Sequence, residues 1–100
     1  MDNKKKMRLF VKGPIPLFWL ETASHLPGKC VAVGLSLWFL AGLTRKYTFP
    51  ITHKTLKRFG VGRGSAGRCL RRLEEASLIS VTRHPGRSPV VTILNAKLNL

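Results

Sequence analysis

The chain of 100 residues carries 18 lysines and arginines against four acids, so its formal net charge at pH 7 is +14. This length predicts one domain, and a hydrophobic fraction of 44% is enough for a small core. So large an excess of positive charge makes a role in solubility alone a weak explanation. It favours an anionic partner, with nucleic acid first and an acidic membrane surface second.

The cysteines and histidines give no sign of a metal site. Cys30 and Cys69 each fall within an apolar helical pattern, which favours buried free thiols over a disulfide. The three histidines are far apart along the chain, so we expect no zinc. The apolar stretch after the basic start is interrupted by a lysine, a glycine and two prolines, which does not fit a signal peptide. We therefore expect a cytoplasmic, nucleoid-associated protein with no membrane partner.

The chain begins with a basic segment. We predict an N-terminal arm over residues 1–13 and a folded domain over residues 14–96. Arg8 to Lys12 could extend as a short strand, with Leu9 and Val11 on one face. Residues 95–100 carry weak signals, and the sequence assigns them no role.

A short helix is predicted from Leu17 to His25, with Pro16 in its first turn. Leu17, Leu20 and residues 23–24 define its apolar face. The most apolar stretch then runs from Lys29 to Leu43. It has 15 residues, fewer than the roughly 20 that cross a bilayer, so a buried core helix is favoured over a membrane span. A helix that is apolar on all sides should make contacts on more than one side.

A helix-turn-helix is predicted over about residues 52–77. Thr48 to Ile51 precedes it as a very short edge strand, because Pro50 cannot donate to a central ladder. Thr52 is suited to cap the first helix, and Gly60 is suited to the C′ position that ends it.

The second helix of this pair has the clearest helical period in the chain, and we expect it to begin near Gly64 or Ser65. Its apolar positions, spaced as one helical face, are Ala66, Cys69, Leu70, Leu73 and Ala76. The opposite face carries Ser65, Arg68, Arg71, Arg72 and Glu75. Two β-like segments follow, Ile79–Arg83 and Val90–Leu94, joined by a Pro-Gly turn. They predict a wing over about residues 79–94.

The polar face of this helix is the main candidate DNA-binding surface. Its arginines are Arg68, Arg71 and Arg72. Arginine can bind guanine O6 and N7 with two hydrogen bonds in the major groove. The backbone amides near Gly64 and Ser65 could bind a phosphate at the helix N-terminus, and Gly67 would let a DNA backbone come close. The alternative is an ordinary helix whose basic face is solvated. The position of this helix between a turn and a wing makes that alternative less favoured.

Other cations extend the predicted interface. On the wing they are Arg83, His84 and Arg87, where arginine could meet the negative potential of a narrow minor groove. On the first helix they are Lys54, Lys57 and Arg58, which would hold phosphates and carry no base information. Arg63 in the turn completes the set. Solvated charge is again the alternative for each group.

Nothing in the sequence predicts a cofactor or a catalytic site. Residues 62–67 match G-x-G-x-x-G, but a dinucleotide site also needs a preceding strand and an acid about twenty residues further on. Here the preceding segment is helical, and no acid lies near residue 87. The four acids are scattered, and no grouping of nucleophile and base is evident. We therefore do not expect an enzyme.

From Val31 to Leu94 the order of helix, short strand, helix, basic helix and two-stranded wing resembles the winged-helix DNA-binding superfamily of bacterial regulators, which includes the multiple-antibiotic-resistance-type repressors. The segment Ala66–Arg87 carries most of the likeness, through a phrase of the form Leu-Glu-x-Ala-x-Leu-Ile. The chain also looks like small proteins of proteobacterial plasmids and integrative elements, with Gly-Pro-Ile-Pro, Leu-Pro-Gly-Lys and Leu-Trp-Phe-Leu-Ala-Gly-Leu.

The resemblance implies a mainly α fold with a small antiparallel β-sheet, as a winged helix-turn-helix with an additional N-terminal helix. It implies major-groove binding through Ser65, Arg68, Arg71 and Arg72, with Arg83 and Arg87 on the wing. The large repressors dimerise through long terminal helices that this sequence lacks, so a homodimer would form through the Pro16–Leu43 region.

The leading hypothesis is a sequence-specific regulator that binds double-stranded DNA. The alternatives are a non-specific architectural protein or a component of a replication or transfer complex, and a protein-interaction module.

Overall fold

The computed structural model describes residue 11 and residues 14–96, which form four α-helices and one three-stranded antiparallel sheet. The helices are α1 (Leu17–Ser24), α2 (Cys30–Thr44), α3 (His53–Arg58) and α4 (Arg63–Glu75), and the strands are β1 (Thr48–Pro50), β2 (Ile79–Thr82) and β3 (Val90–Ile93). The prediction of a mainly α fold with a small antiparallel sheet is confirmed. The predicted arm, the strand at residues 8–12 and residues 97–100 lie outside the described residues, except that Val11 is half-buried against the core.

The face that helix α1 turns to the core matches the predicted one only in part. Trp19 and Ala23 are fully buried, whereas Leu17 is 70% exposed, so the predicted apolar face is confirmed at Ala23 and wrong at Leu17. The indole buries a large apolar area and also brings a donor that needs a partner inside the protein. Trp19 Nε1 finds it in the carbonyl of Leu78, at 3.2 Å.

Helix α2 is the buried centre of the fold. It packs against α1, α3, α4 and β1, as expected for a helix that is apolar on all sides. Trp19 lies directly on it, because a Cβ placed on Gly34 would be 2.9 Å from Trp19 Cζ3. The rings of Trp19 and Trp38 meet edge to face with their centroids 5.7 Å apart. Within the described part of the chain, no helix has the length and apolar character needed to cross a membrane.

The sheet has the strand order β1–β3–β2, so the predicted short edge strand is confirmed at β1. Phe49 pairs with Val91, and Val91 pairs with Val81 on its other side. Phe49 and Val91 are buried against the helices. On the opposite face the hydroxyls of Thr48 and Thr92 are 2.9 Å apart. The period-two alternation therefore places one face of the sheet in the core and leaves the other polar.

Helix α3 begins and ends where its capping residues predict. Thr52 Oγ1 accepts a hydrogen bond from the amide of Thr55 at 3.4 Å. At the other end Gly60 has a φ of +76°, and the amide of Val61 donates to the carbonyl of Leu56 at 3.0 Å. This is the Schellman arrangement, in which glycine avoids the steric cost of the left-handed conformation. Val61 is buried, and it fixes the turn between α3 and α4.

Helix α4 begins earlier than predicted. Gly62 is its N-cap, and the carbonyl of Gly62 accepts a hydrogen bond from the amide of Ala66 at 2.8 Å. Because Val61 is held in the core, the chain turns into the helix at once, and neither Gly64 nor Ser65 caps it. The predicted apolar face is confirmed by the burial of Ala66, Cys69, Leu70 and Leu73.

Gly34 and Gly67, two of the glycines within helices, should respond to alanine with opposite signs. Gly34→Ala places a methyl group against the Trp19 ring and should destabilise the protein by about 1–3 kcal/mol, the usual cost of overpacking. A Cβ at Gly67 meets nothing within 4 Å, so Gly67→Ala should stabilise the protein by about 1 kcal/mol through helix propensity. Urea denaturation measures both changes. Equal effects would contradict the close packing of α1 on α2.

Candidate nucleic-acid interface

A groove of about 750 Å³ lies between α4, the start of α3 and the turn that joins β2 to β3. Buried apolar side chains form its base: Ile51, Leu56, Ala66 and Leu70. Five exposed arginines line it: Arg63, Arg68, Arg71, Arg83 and Arg87. None of the described residues that line the groove is acidic. The groove thus gathers arginines that were predicted separately on the turn, the basic helix and the wing.

Helix α4 contributes an exposed strip of arginines, in which glycines leave the helix backbone accessible. Arg63 is its first residue, and Arg68 reaches back over the first turn, with Nη2 3.5 Å from the Ser65 hydroxyl. The Arg68 guanidinium also passes Gly64, since Nη1 is 3.6 Å from the position of a Cβ there. Gly67 is exposed and lines the groove. A ligand that lies along this strip can therefore meet guanidinium groups and approach the helix backbone closely.

The turn between β2 and β3 has the geometry that its sequence predicts. The amide of Arg87 donates to the carbonyl of His84 at 3.1 Å, and Gly86 has a φ of +73°. Pro85 and Gly86 thus occupy the central positions typical of a type II turn. This turn brings Arg87 to the groove, whereas His84 is exposed and does not line it.

Arg83, which directly follows β2, lines the groove and is also paired with α4. Its Nη1 donates to Glu74 Oε1 at 3.2 Å. The pair joins the last turn of the helix to the turn end of the hairpin. Sequence reasoning did not single out Glu74, because no helical or strand period relates a residue on α4 to one beyond β2.

Arg72 does not lie with the other arginines of α4. It is half-buried, and its Nη1 donates to the carbonyl of Pro27 at 3.3 Å, so it holds the loop between α1 and α2 against α4. Consecutive helical residues are rotated by about 100° about the axis. Arg71 therefore faces the groove while Arg72 faces the platform. The polar face predicted from the sequence includes both Arg71 and Arg72.

Helix α3 contributes a polar residue to the groove in addition to Leu56 at its base. His53, its first residue, lines the groove. Lys54 and Lys57 are exposed, and their predicted contacts with phosphates remain predictions. The Arg58 guanidinium lies 5.7 Å from the centroid of the Phe39 ring, so this side chain also covers an aromatic residue of α2.

The two thiols lie behind α4, on its buried side, and the prediction of buried free thiols is confirmed. Cys30 Sγ donates to the carbonyl of Pro27 at 3.0 Å. Burial raises the pKa of the Cys30 thiol from 9.0 to about 11, and the neighbouring Cys69 thiol acts in the same direction, while Arg72 opposes it. Among the described residues, no cluster of three or more His, Cys, Asp or Glu side chains could hold a metal ion.

The pH dependence of stability should carry the signature of Cys30. Because its pKa is higher in the folded state, the folded protein retains the thiol proton more tightly than the unfolded chain. The stabilisation is complete below pH 9 and is lost as the pH rises from 9.0 towards 11. The free energy of unfolding should therefore fall more steeply over this interval in the wild type than in Cys30→Ala. Denaturation curves at several pH values test this, and parallel slopes would contradict it.

Scans against protein-family models, curated proteins and solved structures found no match for this chain.

Proposed function

We propose that this protein is a sequence-specific, double-stranded DNA-binding protein of the winged helix-turn-helix type, and that it acts as a transcriptional regulator in the cytoplasm, on the nucleoid. In this proposal α4 is the recognition helix and enters the major groove, while the β2–β3 hairpin is the wing and contacts the minor groove or the backbone. The element order supports this, as does the packing of α4 against β2, which sets the hairpin beside the helix.

The observation that carries the proposal is the groove with five arginines and no acid among the described residues that line it. Arginine guanidinium groups bind phosphates and guanine edges with paired, directional hydrogen bonds. Their convergence in one groove concentrates positive potential where a polyanion can lie. The rest of the net charge of +14 attracts the same polyanion from a distance.

The composition of the groove favours a duplex over a single strand. Proteins that bind single strands usually stack the bases on aromatic side chains. Among the described residues that line the groove there is no Phe, Tyr or Trp. Arginines beside a bare stretch of helix backbone suit the base edges and phosphates of a duplex, whose bases remain stacked on each other.

Arg71→Ala and Arg68→Ala should each weaken binding to a preferred duplex by about 1–3 kcal/mol and relax the preference at one base position. The preferred duplex is obtained by selection from a random DNA pool. Lys46→Ala is the control of equal charge, because Lys46 is exposed and does not line the groove. Lys57→Ala should weaken binding to all duplexes alike.

Fluorescence anisotropy at several salt concentrations measures these changes. If Arg68→Ala and Arg71→Ala have no more effect than Lys46→Ala, α4 is not the recognition helix. Binding with a steep salt dependence and no preferred sequence would instead favour a non-specific architectural role. A palindromic selected sequence would indicate that two copies bind together.

Gly67→Ala should separate folding from binding. The methyl group finds open space in the free protein, but it would stand between the α4 backbone and a DNA strand that approaches closely. The variant should therefore be more stable than the wild type and bind the preferred duplex about threefold to tenfold more weakly, roughly 1 kcal/mol. Equal or stronger binding would show that the ligand does not come close to the helix at this point.

An interaction module is the second candidate, and a specific observation favours it. The exposed large hydrophobic side chains of the described residues are Leu17, Phe18, Leu43 and Tyr47. They belong to α1, α2 and the following loop, and none of them lines the basic groove. As an interaction module, the protein would bind another protein through these side chains. Within the DNA-binding proposal, Leu17, Phe18 and Leu43 lie in the Pro16–Leu43 region that would form a homodimer.

A further inference from the structure

We propose that Glu74 is a positioning residue that orients Arg83 in the groove and so contributes to sequence discrimination. This inference rests on the proposed DNA-binding function and adds to it a residue that does not itself contact DNA. Glu74 is one of only four acids in the chain, and it lies next to a groove lined by arginines.

The geometry of the pair is that of a helix holding an arginine from outside the helix. Arg83 Nη1 donates to Glu74 Oε1 at 3.2 Å, and the Arg83 side chain remains 51% exposed. Arg83 lines the groove, whereas Glu74 does not. The Glu74 carboxylate therefore occupies one donor of the Arg83 guanidinium, and the remaining donors are available to a ligand in the groove.

Backbone hydrogen bonds hold the end of α4, which carries Glu74. At the end of α4, Ser77 has a φ of +61°, and its amide donates to the carbonyl of Glu74 at 3.0 Å. The amide of Leu78 donates to the carbonyl of Leu73 at 3.0 Å. The carbonyl of Leu78 in turn accepts the buried hydrogen bond from Trp19. Glu74 thus belongs to the corner between α4 and β2, whereas Arg83 stands at the far end of β2, where the turn to β3 begins.

Neither stability nor general affinity accounts for Glu74. Ion pairs between exposed partners contribute little to stability. A negative charge beside the groove also weakens the attraction of phosphates. The carboxylate instead orients Arg83. It restricts the rotamers of this long side chain and so presents the planar guanidinium in one orientation. An oriented guanidinium distinguishes between base edges or groove shapes, whereas a free one follows the nearest phosphate.

The test compares three variants that remove the same single negative charge. Glu75→Ala is the control, because Glu75 is adjacent and exposed and forms no ion pair within the described part of the chain. Affinity for random duplex should rise equally in Glu74→Ala, Glu74→Gln and Glu75→Ala. The ratio of affinities for the selected and random duplexes should fall about threefold in Glu74→Ala. It should be unchanged in Glu75→Ala and intermediate in Glu74→Gln, which keeps an acceptor for Arg83.

A double-mutant cycle with Arg83→Ala measures whether Glu74 acts through Arg83. In the Glu74→Ala background, Arg83→Ala should cost less discrimination than in the wild type, since its orientation is already lost. Equal ratios for Glu74→Ala and Glu75→Ala in a wild-type protein that prefers the selected duplex would overturn this inference alone. A wild-type protein without any sequence preference would overturn both this inference and the proposed function. Thermal melting of each variant shows that the fold is intact, and Glu74→Gln provides the measurement if Glu74→Ala unfolds.

Discussion

The burial of one indole, that of Trp19, is the interaction on which the rest of the structure depends. Its ring lies on α2 at Gly34, where a Cβ would be 2.9 Å away, and it meets Trp38 edge to face. Its Nε1 donates to the carbonyl of Leu78 at the corner between α4 and β2. An apolar ring alone could have held α1 on α2. The indole nitrogen also fixes the orientation of the ring, because a buried donor needs its acceptor at one particular place. The first helix of the domain is therefore tied to the corner from which the hairpin starts.

Two cations complete the frame around the helix pair. Lys29 Nζ donates to the carbonyl of Gly60 at 2.7 Å, and Arg72 Nη1 donates to that of Pro27 at 3.3 Å. Each connects the loop between α1 and α2 to the α3–α4 unit. The guanidinium of Arg58, over Phe39, makes a further contact between α3 and α2. Part of the positive charge thus stabilises the platform, and the proposed DNA interface depends on the arginines that remain in the groove.

Much of the fold could be predicted from local patterns. The period-two alternation of β2 and β3, the Pro-Gly turn and the buried face of α4 follow from side-chain spacing. Thr52 and Gly60 mark the limits of α3 because capping and left-handed geometry are properties of single residues. Arg68 and Arg71 were correctly placed on the exposed side of α4. All of these depend on neighbours within about one helical turn or one hairpin.

The errors have a common origin in contacts between distant segments. The apolar face of α1 was assigned from aliphatic spacing, but the burial of Trp19 depends on Gly34 and Leu78. Arg72 is equivalent to Arg71 in the sequence pattern, but its direction depends on the loop at Pro27. Helix α4 is capped at Gly62, earlier than predicted, because Val61 is held in the core. Sequence alone therefore indicated the basic helix and the hairpin, since these follow from local spacing, and it predicted an anionic partner from the net charge. Only the tertiary structure decided which arginines meet in the groove and which acid pairs with one of them, because packing sets the direction of each side chain.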